Sequence, residues 1–141
     1  MEAYRHKVQY YETDQMGIVH HSNYIRWFEE ARTAYLEAIG IPYEKMEADG
    51  IISPVIEVQA EYLRMVRFGS TASIKAKIRQ YNGIKLEIMY EVSEEKSGMV
   101  HCKGVSRHCF LNEKGRPVSL KKEKPDYHAV LMAAMETDLQ E

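Results

Sequence analysis

The stretch from Thr71 to Val92 constrains this chain more than any other. Ala72, Ile74, Ala76 and Ile78 alternate with Ser73, Lys75, Lys77 and Arg79. Beyond Tyr81-Asn82-Gly83, the residues Ile84, Leu86, Ile88, Tyr90 and Val92 alternate in the same way with Lys85, Glu87, Met89 and Glu91. A period of two marks strands with one buried face, and Asn-Gly between two such runs is a hairpin signal. The stretch therefore predicts an antiparallel pair with one wet face and one apolar face that something must cover.

Residues 23–39 supply the cover. Tyr24, Trp27, Phe28, Ala31, Tyr35 and Ala38 recur at helical spacing, with Arg26, Glu30, Thr33 and Glu37 on the opposite face. Trp27 belongs to this apolar stripe and reads as core. Ser22 or Asn23 can cap the start, and Gly40 followed by Ile41-Pro42 stops the helix. Residues 4–11 read as a first strand and 43–50 as a short helical turn. A further strand begins near Ile51 or Val55, with Ile56, Val58, Ala60 and Tyr62 alternating with Glu57, Gln59 and Glu61. The last long strand spans 99–111, where Gly104 and Ser106 interrupt the apolar side and admit close approach of another element. Lys121 to Lys124 reads as a solvated charge run. Residues 126–138 read as a C-terminal helix carrying Tyr127, Val130, Leu131, Ala134 and Met135. The order predicts an α+β domain over 1–141, an antiparallel sheet around one long helix.

Composition excludes several classes. A net charge of -2 argues against general nucleic-acid binding. No apolar run approaches the roughly 20 residues of a membrane helix, and the N-terminus has no apolar signal region. The two cysteines, Cys102 and Cys109, share one strand and read as reduced, which suits a cytoplasmic protein. The histidines do not suggest a metal. His101-Cys102 and His108-Cys109 fall on opposite faces of a strand, and adjacent His20 and His21 diverge. No Gly-x-Ser-x-Gly elbow is present.

The chemistry concentrates between Tyr10 and Tyr24. Asp14, His20, His21 and a helix start fall within a dozen residues, with Gly17 punctuating the loop. A helix start presents unpaired N–H groups and partial positive charge, and a carboxylate can act as base or nucleophile. Together they suit attack on a carbonyl; the plain alternative is a capped helix after an ordinary loop.

The run Tyr11-Glu12-Thr13-Asp14-Gln15-Met16-Gly17-Ile18-Val19-His20-His21-Ser22-Asn23-Tyr24 resembles the signature of the 4-hydroxybenzoyl-CoA thioesterase family, including its YbgC-like acyl-CoA thioesterases. Tyr62-Leu63-Arg64 and Arg67-Phe68-Gly69 resemble that family's second strand and bend. The resemblance extends to about residue 112 and implies a hotdog fold and hydrolysis of an acyl-CoA to a free acid and coenzyme A. By it, Asp14 is the catalytic carboxylate, attacking the carbonyl or activating water. The backbone N–H of His21 polarises the thioester oxygen, and Gly17 lets the loop pass close to the substrate.

Tyr24, His20, Arg64 and Arg67 are the implied substrate contacts, with Lys75, Lys77 and Arg79 further candidates for the coenzyme A phosphates. His20 stands where YbgC-like proteins often have Tyr. Glu29 or Glu30 is an alternative carboxylate, placed on the helix as in some hotdog enzymes. No metal or cofactor is implied. A homo-oligomer is implied, with a dimer as the minimal unit and a tetramer as the expected assembly, its acyl site at the dimer interface. The rival functions are a non-catalytic acyl-CoA-binding module, an acyl-carrier-protein thioesterase and an acyl-CoA hydratase.

Overall fold

The computed structural model describes residues 1–141. Five strands form one antiparallel sheet: β1 (Tyr4–Lys7), β2 (Val55–Tyr62), β3 (Thr71–Tyr81), β4 (Lys85–Glu94) and β5 (Val100–Cys109). Their spatial order is β1-β3-β4-β5-β2. Helix α1 (Ser22–Ala38) lies against the inner face of this sheet, followed in the chain by the short α2 (Tyr43–Ala48). The short α3 (Leu120–Glu123) leads into α4 (Pro125–Gln140), which packs on β3. This is the α+β hotdog arrangement expected from the sequence.

The alternation in β3 and β4 sorts as expected. Ala72, Ile74, Ala76 and Ile78 are buried, and the register sets Ile74 against Val92, Ala76 against Tyr90 and Ile78 against Ile88. On α1, the side chains of Tyr24, Trp27, Phe28 and Tyr35 are at most 3% exposed, and each contributes about 2 kcal/mol by burial. Gly104 explains how the helix sits so close. A Cβ there would lie 2.3 Å from Phe28 Cε2, and Phe28 is stacked on Tyr90 with centroids 4.5 Å apart.

Several expectations are corrected. The first strand ends at Lys7 rather than residue 11, because the chain turns into a 3-10 helix at Tyr10–Glu12. The last strand spans Val100–Cys109, not 99–111. Ile84 sits in the hairpin turn and is exposed, while Glu87 is buried because Arg79 and Arg107 close over its carboxylate. The charge run after Ser119 is largely exposed as expected, and it is also helical over Leu120–Glu123, anchored by the fully buried Leu120. Ala38 is exposed at the end of α1.

The alternation expected in β2 does not separate a buried face from a wet one: Val55, Ile56, Val58 and Tyr62 are all 36–48% exposed. β2 is an edge strand, and α1 meets it through Tyr62, whose ring lies 5.2 Å from that of Tyr24.

Two buried polar networks were not legible in the sequence. Arg32 on α1 donates to the hydroxyls of Tyr43 and Tyr90, and Ser106 links Tyr90 to His108. Asp138 of α4 accepts from the Tyr35 hydroxyl and from the Ile78 N–H beside a break in the β3–β4 register. In both, groups that would be costly to bury alone bond to one another, with only His108 Nδ1 left without a partner.

Candidate functional site

The loop between Glu12 and α1 is a miniature hairpin. Thr13 bridges Val19, and the Asp14 N–H donates to the Ile18 carbonyl at 2.9 Å. Asp14 Oδ1 accepts from the N–H groups of Met16 and Ile18, at 2.8 and 3.2 Å, closing the turn as aspartate side chains do. Its Oδ2 accepts no hydrogen bond within the chain, and the residue is exposed. Gly17 completes the turn at φ 72°, and a Cβ there would meet nothing within 4 Å, so within the chain glycine is needed for its dihedral. The outer limb of the hairpin is pinned to the bend after β2, with Val19 N–H donating to Val66 and Phe68 N–H to Gly17.

Glu12 holds this hairpin to α1. The residue is 4% exposed. Its Oε1 accepts from His6 Nε2 and the Gln9 N–H, and Oε2 accepts from Trp27 Nε1, each at 2.8 Å. Its backbone carbonyl accepts from the His20 N–H and from Asn23 Nδ2, both at 2.9 Å. Burial disfavours the Glu12 carboxylate, but the bonds from Gln9, His6 and Trp27 outweigh that cost and hold its pKa below the usual value. Sequence reasoning does not single out Glu12. The available signal is an acidic residue placed between a strand and the helix that carries the buried Trp27.

The start of α1 differs from the expected Ser22 or Asn23 cap. His21 occupies the N-cap position with helical dihedrals, and Asn23 is buried with its side chain turned back to Glu12. The N–H groups of Asn23 and Tyr24 donate to the carbonyls of His20 and His21, and the Ser22 N–H donates to His20 Nδ1. The N–H of His21 makes no hydrogen bond within the chain. The first turn of α1 carries no acidic residue, so nothing on the helix itself neutralises its positive end.

Aromatic rings surround this start. The His20 and His21 rings lie 4.2 Å apart, and Tyr62 meets His21 edge-on at 6.1 Å while its hydroxyl donates to the His21 carbonyl. Tyr24 is buried, and its hydroxyl accepts from the Val66 N–H. Burial raises the pKa of both Tyr24 and Tyr62, so both stay neutral at pH 7. Cys102 is buried and free, and burial pushes its thiol up to about 12, which makes it an inert core residue.

Arg64 and Arg67 are exposed on the bend after β2 and make no salt bridge, while Ile18 of the hairpin bridges the Arg67 backbone. Asp14, Gly17, His20, His21, Tyr24, Arg64 and Arg67 thus gather around one hairpin, one helix start and one bend. Lys75, Lys77 and Arg79 lie elsewhere, on β3. Glu30 contacts Tyr4 and His6. No cluster of histidine, cysteine or carboxylate side chains is arranged to hold a metal.

A sheet wrapped on one helix defines a hotdog protein, here with a carboxylate hairpin leading into the helix start. Residues 8–136 match the family model described as the thioesterase-like superfamily. The chain belongs to that superfamily.

Among its relatives, the Bacillus subtilis (strain 168) protein YneP, provisionally named an acyl-CoA thioesterase, is 38% identical over 123 residues. The match covers 86% of this chain and 88% of YneP. A DHNA-CoA thioesterase from Staphylococcus aureus superposes with a TM-score of 0.91 at 28% identity, covering 99% of this chain and 93% of its own. A Thermus thermophilus protein, TT1821, described as hypothetical, gives a TM-score of 0.87 at 32% identity, covering 95% and 99% of the two chains. No helix of the chain is long and apolar enough to cross a membrane.

Proposed function

We propose that this protein hydrolyses an acyl-CoA, adding water across the thioester to release a carboxylic acid and coenzyme A. The observation that carries the proposal is the unpaired N–H of His21 at a helix start, close in the chain to a carboxylate with one free oxygen. Asp14 is the essential carboxylate. It uses Oδ2 either to take a proton from water or to attack the carbonyl carbon, while Oδ1 stays engaged by Met16 and Ile18. The His21 N–H receives the developing oxyanion, reinforced by the positive end of α1. Gly17 shapes the hairpin that presents Asp14. Tyr24, Arg64 and Arg67 bound the substrate, with the two arginines available to coenzyme A phosphates.

The working unit is a homodimer, assembled further into a tetramer. An edge strand exposing Val55, Ile56 and Val58 invites pairing with a second copy, which would complete the site beside Asp14. The free cysteines suit the reducing cytoplasm.

The test is free-thiol release from short, long and aromatic acyl-CoAs by the parent and by Asp14→Asn. The parent should release thiol, and the variant should lose at least about a hundredfold in kcat with its fold intact. A folded Asp14→Asn protein with parental turnover would remove Asp14 from the mechanism. Binding without thiol release on every ester would replace the hydrolase with a binding module.

A further inference from the structure

We propose that His20 is a positioning residue: its imidazole Nδ1 caps Ser22 and leaves the His21 N–H free at the start of α1. This rests on the reading of His21 as the oxyanion donor. The accounting of N–H groups is specific. Asn23 donates to the His20 carbonyl at 3.0 Å and Tyr24 to the His21 carbonyl at 3.3 Å, so the helix opens on a tight turn. Ser22 has no carbonyl to reach and donates instead to His20 Nδ1 at 3.2 Å, while its hydroxyl lies 2.8 Å from the same nitrogen. Without His20, two adjacent donors would be free, and the turn that aims them would lose its side-chain tie.

The chemistry also assigns a tautomer. A backbone N–H can only donate, so Nδ1 must be the acceptor and any ring proton of the neutral imidazole sits on Nε2. The His20 backbone is held in turn, with its N–H bonded to the Glu12 carbonyl. Its ring is tilted 31° against the His21 ring, 4.2 Å away. His20 therefore acts through the backbone of its neighbours.

The experiment compares His20→Asn, His20→Gln and His20→Leu. The Asn Oδ1 occupies the place of histidine Nδ1, whereas the Gln side chain reaches toward Nε2. With acyl-CoA as substrate, His20→Leu and His20→Gln should lower kcat about tenfold with KM within about twofold, and His20→Asn should stay within about twofold of the parent. Activity kept by Gln and lost by Asn would overturn the proposal in favour of an Nε2 contact with substrate. Parental kcat in His20→Leu would overturn it outright.

Nitrogen-15 NMR of the imidazole gives a readout independent of catalysis. It should show Nδ1 unprotonated and Nε2 protonated in the neutral form; a proton on Nδ1 refutes the cap even in an active enzyme. Turnover in Asp14→Asn would count against the catalytic reading alone, because the NMR result stands apart from it.

Discussion

Replacing Glu12 by glutamine tests how the hairpin is held to the helix. The carboxylate is buried and accepts three hydrogen bonds, two at Oε1 and one at Oε2. An amide keeps one acceptor oxygen. Its best orientation leaves that oxygen to Gln9 and His6 and turns an NH2 toward the Trp27 N–H, so two donors face each other in a buried place. Losing one bond to a charged acceptor costs about 1.5–3 kcal/mol, and the remaining two weaken as their acceptor becomes neutral. Relief from burying a charge offsets part of this, so the net loss is about 2–3 kcal/mol at pH 7.

Urea unfolding of the parent and of Glu12→Gln measures that difference directly. The Glu12 pKa is depressed in the folded state. Its stabilisation is therefore complete above the unfolded value of about 4.3 and is lost as pH falls through the folded value. The gap between parent and variant should be widest near neutrality and shrink in acid. It should be accompanied by a fall in turnover, because the hairpin carrying Asp14 shifts. A difference below about 0.5 kcal/mol at pH 7, or one that does not change with pH, would refute the reasoning.

Two further outcomes follow from the core. Gly104→Ala places a Cβ 2.3 Å from Phe28 Cε2 and 2.4 Å from its Cζ, against a ring that is 1% exposed and stacked on Tyr90. It should cost about 3 kcal/mol in urea unfolding, and a neutral substitution would mean that α1 is free to lift. His108 is fully buried with Nδ1 unpartnered, and burial, with Arg32 adding its charge, lowers its pKa to about 4. The unfolded chain therefore takes up a proton near pH 6.5 that the folded chain refuses until about pH 4, so stability falls by about 3 kcal/mol across that interval. NMR titration should find His108 neutral at pH 5.5, whereas titration near 6.5 would contradict its burial.

The elements that could be read from the chain were those whose cause is local. The alternation on either side of Asn82-Gly83, and the stripe from Tyr24 to Tyr35, each state which side faces the core, because strand and helix geometry alone fix where successive side chains point. Gly104 was legible for a related reason: a missing side chain within an apolar run announces a close neighbour before that neighbour is known. The resemblance around Asp14 and His21 lay in contiguous residues, so it needed no knowledge of the fold.

The buried polar groups were decided by tertiary structure. Glu12, Arg32, Glu87 and Asp138 carry side chains that a sequence reading assigns to water, and each is buried because folding gathers charged or hydrogen-bonding partners around it. Asp138 meets Tyr35 from 103 residues away, and Arg32 meets Tyr90 from 58. β2 has the alternation of a covered strand, yet its place at the sheet edge, beyond most of α1, leaves both faces open. Periodicity determined which residues seek the core. Only the packed chain decided which charges could join them, because burying a charge depends on a partner that sequence spacing does not reveal.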